Sequence, residues 1–277
     1  MLLPSIFQGS NHFSNSYCNN SPHTSSPAIT CKDHPRRLSP HSFCPRHDII
    51  TLMPAKNAIK EYHPGGYYHI YNRGVDKRTI FENDKDYKTF LSFLRLYLTP
   101  PNLRGPSSQD QFPTAPTKQL NNFAGEITLL AYCLMPNHFH LFVKQESEHG
   151  INHFMRSLAT KYVRYFNSQH NRIGPLFQGI YKAVHIENEY QYVYLTKYIH
   201  RNPLDLPAYK TGSQPLSSYS YSSYPNYLNQ FSQSWVNTEE ILSRFSTANH
   251  SLSYQSFVEE SEPDDVKIIS QVALDLD

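Results

Sequence analysis

The stretch ITLLAYCLMPNHFHLFVKQ, residues 127–145, constrains the fold more than any other in the chain. Two apolar runs flank Pro136-Asn137, a turn pair, and so predict a β-hairpin. Side chains alternate along a strand. Phe139, Leu141 and Val143 then share one face, suited to packing on helices. His138, His140 and Phe142 share the other, which is expected to stay free for a site.

The flanking segments supply the rest of the architecture. YYHIYNRG (67–74) is aromatic and β-branched, stopped by Asn-Arg-Gly, and reads as a strand. In ENDKDYKTFLSFLRLYL (82–98), Tyr87, Phe90, Leu91, Leu94, Tyr97 and Leu98 recur at helical spacing, with Asn83 or Asp84 able to cap the start. A second helix is expected over INHFMRSLATKYVRYFNSQH (151–170), with Ile151, Phe154, Met155, Leu158, Tyr162, Tyr165 and Phe166 on one face. IYKAVHIEN (180–188) reads as a strand and NEYQYVYLTKYIHRNP (188–203) as a helix ended by Pro203. The order β-α-β-β-α-β predicts an α+β, ferredoxin-like split-βαβ antiparallel sheet with its helices on one face, followed by a further helix.

Outside this core the sequence changes character. Residues 1–58 are rich in Ser, Asn, Pro and His without a sustained period, and are expected to be disordered. Met53 stands just ahead of the organised sequence, so the preceding residues could be an overextended start. Cys31, His34, His41, Cys44 and His47 lie close together there, but in an order that matches no common zinc finger. Residues 99–125 form a Pro/Ser/Gln-rich stretch too long for a tight connection and read as a mobile insertion. Residues 211–277 read as an accessory extension with one short helix near NTEEILSRF and an acidic end. Its stretch 218–224 (SYSYSSY) reads as a low-complexity linker, with stacking on nucleic-acid bases as the alternative.

Charge is uneven. The net is only +2, yet residues 150–210 carry 8 basic and 3 acidic side chains, and 211–277 carry 2 and 9. A basic block beside an acidic tail suggests a polyanionic partner, although an ordinary solvated surface fits the charge alone equally well. The 4 cysteines form no CxxC pair, which argues against a disulfide scaffold and for a reducing compartment. No apolar run reaches the roughly 18 residues of a membrane span, and the first residues lack the features of a signal peptide.

Two imidazoles at i and i+2 on a strand can bind one divalent ion if a third ligand comes from elsewhere. On that spacing alone, two exposed or hydrogen-bonded histidines are the plainer reading. Tyr198 and Asn202 lie one helical turn apart on the final helix, with Gln191 and Tyr194 on the same stripe. Tyr192, Leu195 and Ile199 form the adjacent apolar stripe. Asn202 precedes Pro203, which disfavours the helical region, so it is expected at a frayed end.

MPNHFHLFV resembles the histidine-hydrophobe-histidine (HUH) motif of single-tyrosine HUH transposases. YLTKYIHRNP resembles the segment of that family carrying its nucleophilic tyrosine. YYHIYNRG, FENDKDYKTFL, KYVRYFN and GPLFQGIYKA are similar to family segments in the expected order. The subgroup most resembled is the REP-associated tyrosine transposases, over about residues 62–262. The resemblance implies a catalytic domain over 59–210, with Tyr198 as nucleophile, His138, His140 and Asn202 as metal ligands, and Mg²⁺ or Mn²⁺ as the ion. It implies DNA strand transfer through a 5′-phosphotyrosine on single-stranded or hairpin DNA, by a monomer or a homodimer. It also implies cytoplasmic, nucleoid-associated work and no membrane. Candidate contacts to the DNA backbone are Arg73, Arg164, Arg172, Lys182, Lys197 and Arg201, together with Arg156 and Lys161. Two alternatives stand beside this. One is an HUH replication- or relaxase-type nickase, against which the lack of a GxxxxGK[ST] loop argues. The other is a hairpin-binding derivative that does not cleave.

Overall fold

The computed structural model describes residues 61–104 and 121–260. The expectations for the N-terminal segment, for most of the 99–125 insertion and for the last residues fall outside them.

Strands β1 (Tyr67–Arg73), β2 (Ile127–Met135), β3 (His138–Gln145) and β4 (Lys182–Ile186) form one antiparallel sheet in the order β2-β3-β1-β4. Helix α1 (Asp84–Leu98) joins β1 to β2, and α2 (Gly150–Gln169) joins β3 to β4. This is the split-βαβ arrangement expected from the sequence. Asn83 caps α1 by accepting from the Asp86 N–H at 3.2 Å.

The strand alternation sorts the core into two. On one face Phe139, Leu141 and Val143 join Tyr68, Ile70 and the apolar sides of α1 and α2. On the other, Phe142 joins Ala131, Cys133 and Met135 of β2 and Leu195 and Ile199 of the final helix, α3 (Glu189–Arg201). The Asn188 side chain caps α3, accepting from Gln191 N–H at 2.9 Å.

This second face differs from the expectation: it is not free. Helix α3 and residues 216–258 cover it, and His140 and Phe142 are both fully buried. The stretch 218–224 is accordingly neither a linker nor an exposed stacking platform. Ser222 bridges Cys133 on the edge of β2, where Val236 also bridges Leu129. Leu134 N–H donates to Tyr221 O, and Ser223 N–H to Tyr132 O, each at 2.9 Å. Tyr219 and Tyr224 are buried, and the Tyr219 hydroxyl donates to Leu134 O at 2.6 Å. An uncovered edge strand invites pairing with other chains, and this segment removes that hazard.

At the site end of the sheet the backbone is tightly tied. Gly74 N–H donates to Asn137 O at 2.8 Å, fixing the end of β1 to the hairpin turn just before His138. A Cβ on Gly74 would come within 2.2 Å of Arg78 O, so no larger residue fits this approach.

Candidate active site

The register sets the site out row by row on the covered face. His138 pairs with Arg73 across β3 and β1, His140 with Tyr71, and Phe142 with His69. Lys182 of β4 extends the Tyr71 row, its Nζ 5.7 Å from the Tyr71 ring centroid. Helix α3 lies over these rows. The Tyr198 ring packs edge-on against His140 and His69, at centroid distances of 5.3 and 5.8 Å. His140 and Tyr198, 58 residues apart in the sequence, meet here.

Asn202 is not at a frayed end. It keeps helical angles (φ −49°, ψ −39°) despite the following proline, and its backbone N–H donates to Ile199 O. The chain then runs straight into a short 3₁₀ turn, Asn202–Asp205. The Asn202 Nδ2 donates to Tyr198 O at 2.9 Å, and this turns Oδ1 toward His138 Nε2, 3.3 Å away.

These contacts create an excess of electron pairs. His138 Nδ1 lies 2.7 Å from Asn137 Oδ1, and the Asn137 amide is oriented by its own Nδ2 donating to Lys77 O. Both amides therefore turn oxygens toward one imidazole. A neutral ring has a single N–H and can donate to only one of them. Burial holds the ring neutral, pushing His138 below its ordinary pKa. The shorter contact, to Asn137, takes the proton. The Nε2 lone pair then faces the Asn202 oxygen. His140 is likewise pushed well below its ordinary value by burial, and its Nε2 is buried without a hydrogen-bond partner. His138 Nε2, His140 Nε2 and the Asn202 oxygen thus converge, and with both imidazoles presenting lone pairs there nothing would donate to them. That donor set fits a divalent cation. Among the described residues no group of three or more His, Cys, Asp or Glu is placed to hold a metal, so the amide oxygen is needed to complete such a set.

The Tyr198 hydroxyl is also buried without a hydrogen bond of good geometry; burial raises its pKa, and the Asn202 side chain beside it works against that. Tyr198, His138 and Asn202 open onto a cleft of about 430 Å³ whose lining includes Arg73, Lys77 and Arg201 and one carboxylate, Asp205. Lys77 went unnoticed in the sequence because it lies in an irregular turn with φ +57°. His69 went unnoticed because β1 gave no reason to link it to β3 before the register was known.

The basic candidates separate. Arg73 and Arg201 line the cleft; Lys182 shares its sheet face. Arg73 Nε donates to Gln178 Oε1 at 2.8 Å, and Arg201 Nη1 to Val258 O at 2.7 Å. Arg172 donates to Asn167 Oδ1 and Pro175 O and holds the loop after α2. Arg164, exposed, and Arg156 and Lys161 lie on α2, across the sheet from the site. Lys197 must be withdrawn as a DNA contact. It is 1% exposed, its Nζ seated over Phe257 and Tyr194 at 4.9 and 5.8 Å, because it projects from the core side of α3. Tyr194 packs on Phe257 rather than on the histidines.

Residues 117–202 match the family model for IS200-like transposases. That span holds both histidines, Tyr198 and Asn202. No curated protein matches the chain. Among solved structures, one of a REP-associated tyrosine transposase bound to a REP hairpin is similar at 12% identity and a TM-score of 0.43, over 62% of this chain and 84% of that one. A candidate transposase from Deinococcus radiodurans r1 is similar at 16% identity and a TM-score of 0.30, over 53% and 94%. No described helix is long and apolar enough to cross a membrane.

Proposed function

We propose that this chain, with its IS200-like transposase segment over residues 117–202, is a single-tyrosine HUH transposase of the REP-associated kind. It cleaves and rejoins single-stranded or hairpin DNA in the cytoplasm, at the nucleoid. The observation that carries the reading is the meeting of two buried, unpartnered atoms, Tyr198 Oη and His140 Nε2, beside the His138–Asn202 pair at a basic cleft. Residues 59–210 form the catalytic part and 211–277 the accessory part. Tyr198 lies against the histidines of its own chain, which favours cleavage within one protomer over exchange across a homodimer.

A phosphodiester resists attack because its charge repels nucleophiles. Mg²⁺ or Mn²⁺ held by His138 Nε2, His140 Nε2 and Asn202 Oδ1 would neutralise its non-bridging oxygens. Arg73, Lys77 and Arg201 orient the strand through its phosphates. Tyr198 Oη loses its proton and forms a bond to phosphorus, while the bond to the 3′ oxygen breaks and that oxygen is protonated. The products are a 5′-phosphotyrosine and a free 3′-OH. Burial opposes ionisation of the phenol, so the step depends on the positive charge gathered at the cleft. The phosphoester bond energy is retained, so a second 3′-OH can reverse the step without ATP.

A labelled hairpin oligonucleotide incubated with the protein and Mn²⁺ should give a covalent adduct on a denaturing gel. Tyr198→Phe should give none. Equal adduct from both proteins, or none from either, would remove the assignment; retention of the hairpin without an adduct would favour a binding protein that does not cleave.

A further inference from the structure

His69 lies in the middle of β1 and is fully buried. Its Nε2 is 2.9 Å from His140 Nδ1, with the two rings within 21° of coplanar, so the hydrogen bond lies in the ring planes. Tyr71 stacks on His69 at 4.9 Å and Tyr198 closes its edge. The ring is therefore held on three sides, and an apolar residue would have filled the same space without burying a polar group.

A neutral His140 has one N–H and two possible tautomers. Only with the proton on Nδ1 does Nε2 offer a lone pair to the site. That tautomer requires an acceptor at Nδ1, and His69 Nε2 is the atom placed to accept. We infer that His69 is a positioning residue: it accepts the His140 Nδ1–H and so presents His140 Nε2 as the donor atom toward a divalent cation. The inference rests on the proposed metal site. An acceptor behind a ligating histidine fixes both its tautomer and its ring orientation, and losing such a partner typically lowers metal affinity about 10- to 100-fold. A carboxylate would do the same work. In this pocket, however, it would bury a negative charge beside the Tyr198 phenol, which must itself become anionic. A neutral imidazole orients His140 without that repulsion.

Two measurements on the full chain test this. In the ¹⁵N-histidine-labelled, metal-free wild type, long-range ¹H–¹⁵N spectra read the His140 tautomer directly. The Nδ1–H form is expected, and the Nε2–H form would overturn the inference whatever the protein does with metal. Mn²⁺ titration then compares wild type with His69→Gln and His69→Leu, each checked for native circular dichroism. Glutamine can set an amide oxygen near the position of Nε2. It should hold affinity within a few fold, whereas leucine should lose about 10- to 100-fold. Leucine and glutamine variants that both bind like wild type would overturn the inference, as would equal losses in both. If wild type binds no Mn²⁺, the metal reading falls, and the tautomer measurement still decides the role of His69. His69→Leu failing to fold leaves the decision to glutamine and the wild-type spectrum.

Discussion

The two faces of the sheet are both covered by an apolar cluster, but they differ in the polar groups they bury. The helix-covered face is closed by large apolar side chains such as Phe90, Phe139 and Phe154, each essentially without exposure. The opposite face buries His69 and His140 and leaves Tyr198 Oη and His140 Nε2 without partners. Buried polar atoms are normally paired, because leaving one unpaired costs about 1–3 kcal/mol. Both faces contribute apolar packing, and the second gives up some of that stability where it buries polar groups beside the cleft. The second face is closed by α3 and the segment after it. Its lock is His200, whose Nδ1 and Nε2 lie 2.6 Å from Tyr254 Oη and 2.7 Å from Ser223 Oγ.

Substitutions can break this contrast in order of size. Phe139→Ala, on the α1/α2 face, should destabilise by about 3–5 kcal/mol in chemical denaturation; a loss under about 1 kcal/mol would mean that Phe139 is not tightly packed there. Tyr254→Phe leaves a buried His200 nitrogen unpaired and should cost about 1–3 kcal/mol. It should also slow adduct formation, since α3 loses a tether to the C-terminal segment. Tyr198→Phe removes a buried hydroxyl that makes no hydrogen bond of good geometry, so its denaturation midpoint should stay level or rise by up to about 1 kcal/mol in equivalent stability. A clear loss would reveal a hydrogen bond to that hydroxyl. Smallest of all, Arg73→Ala should reduce the salt slope of hairpin binding by about one, while Lys197→Met, seated under Phe257, should leave that slope unchanged.

The helix-facing half of the molecule was legible in the sequence because its signals are local. Period-two alternation in β3, helical spacing in α1 and α2, and the Pro136-Asn137 turn each specify their own element. The histidine pair and the tyrosine could be read only by resemblance, and their meeting depends on α3 crossing the sheet. What escaped depends on register or on distant packing. His69 gains its meaning only from the strand pairing that sets it diagonal to His140. Lys197 falls on the core side only because residues 254–258 pack over α3. Residues 218–224 looked polar and repetitive, yet their backbone closes part of the edge of β2 while Tyr219 and Tyr224 are buried. Asn202 defeats the usual effect of a following proline because its backbone and side-chain amides both bond back into α3.

The central claim is that Tyr198, held against the histidines of its own chain, takes up the DNA 5′-phosphate. It is tested most directly by locating the bond. After reaction with a cleavable hairpin and Mn²⁺, nuclease and protease digestion should leave a single phosphorylated or nucleotide-bearing peptide, and mass spectrometry should place the modification on Tyr198. A modification on Tyr71, the other tyrosine of the cluster, or on no residue at all, would contradict the account.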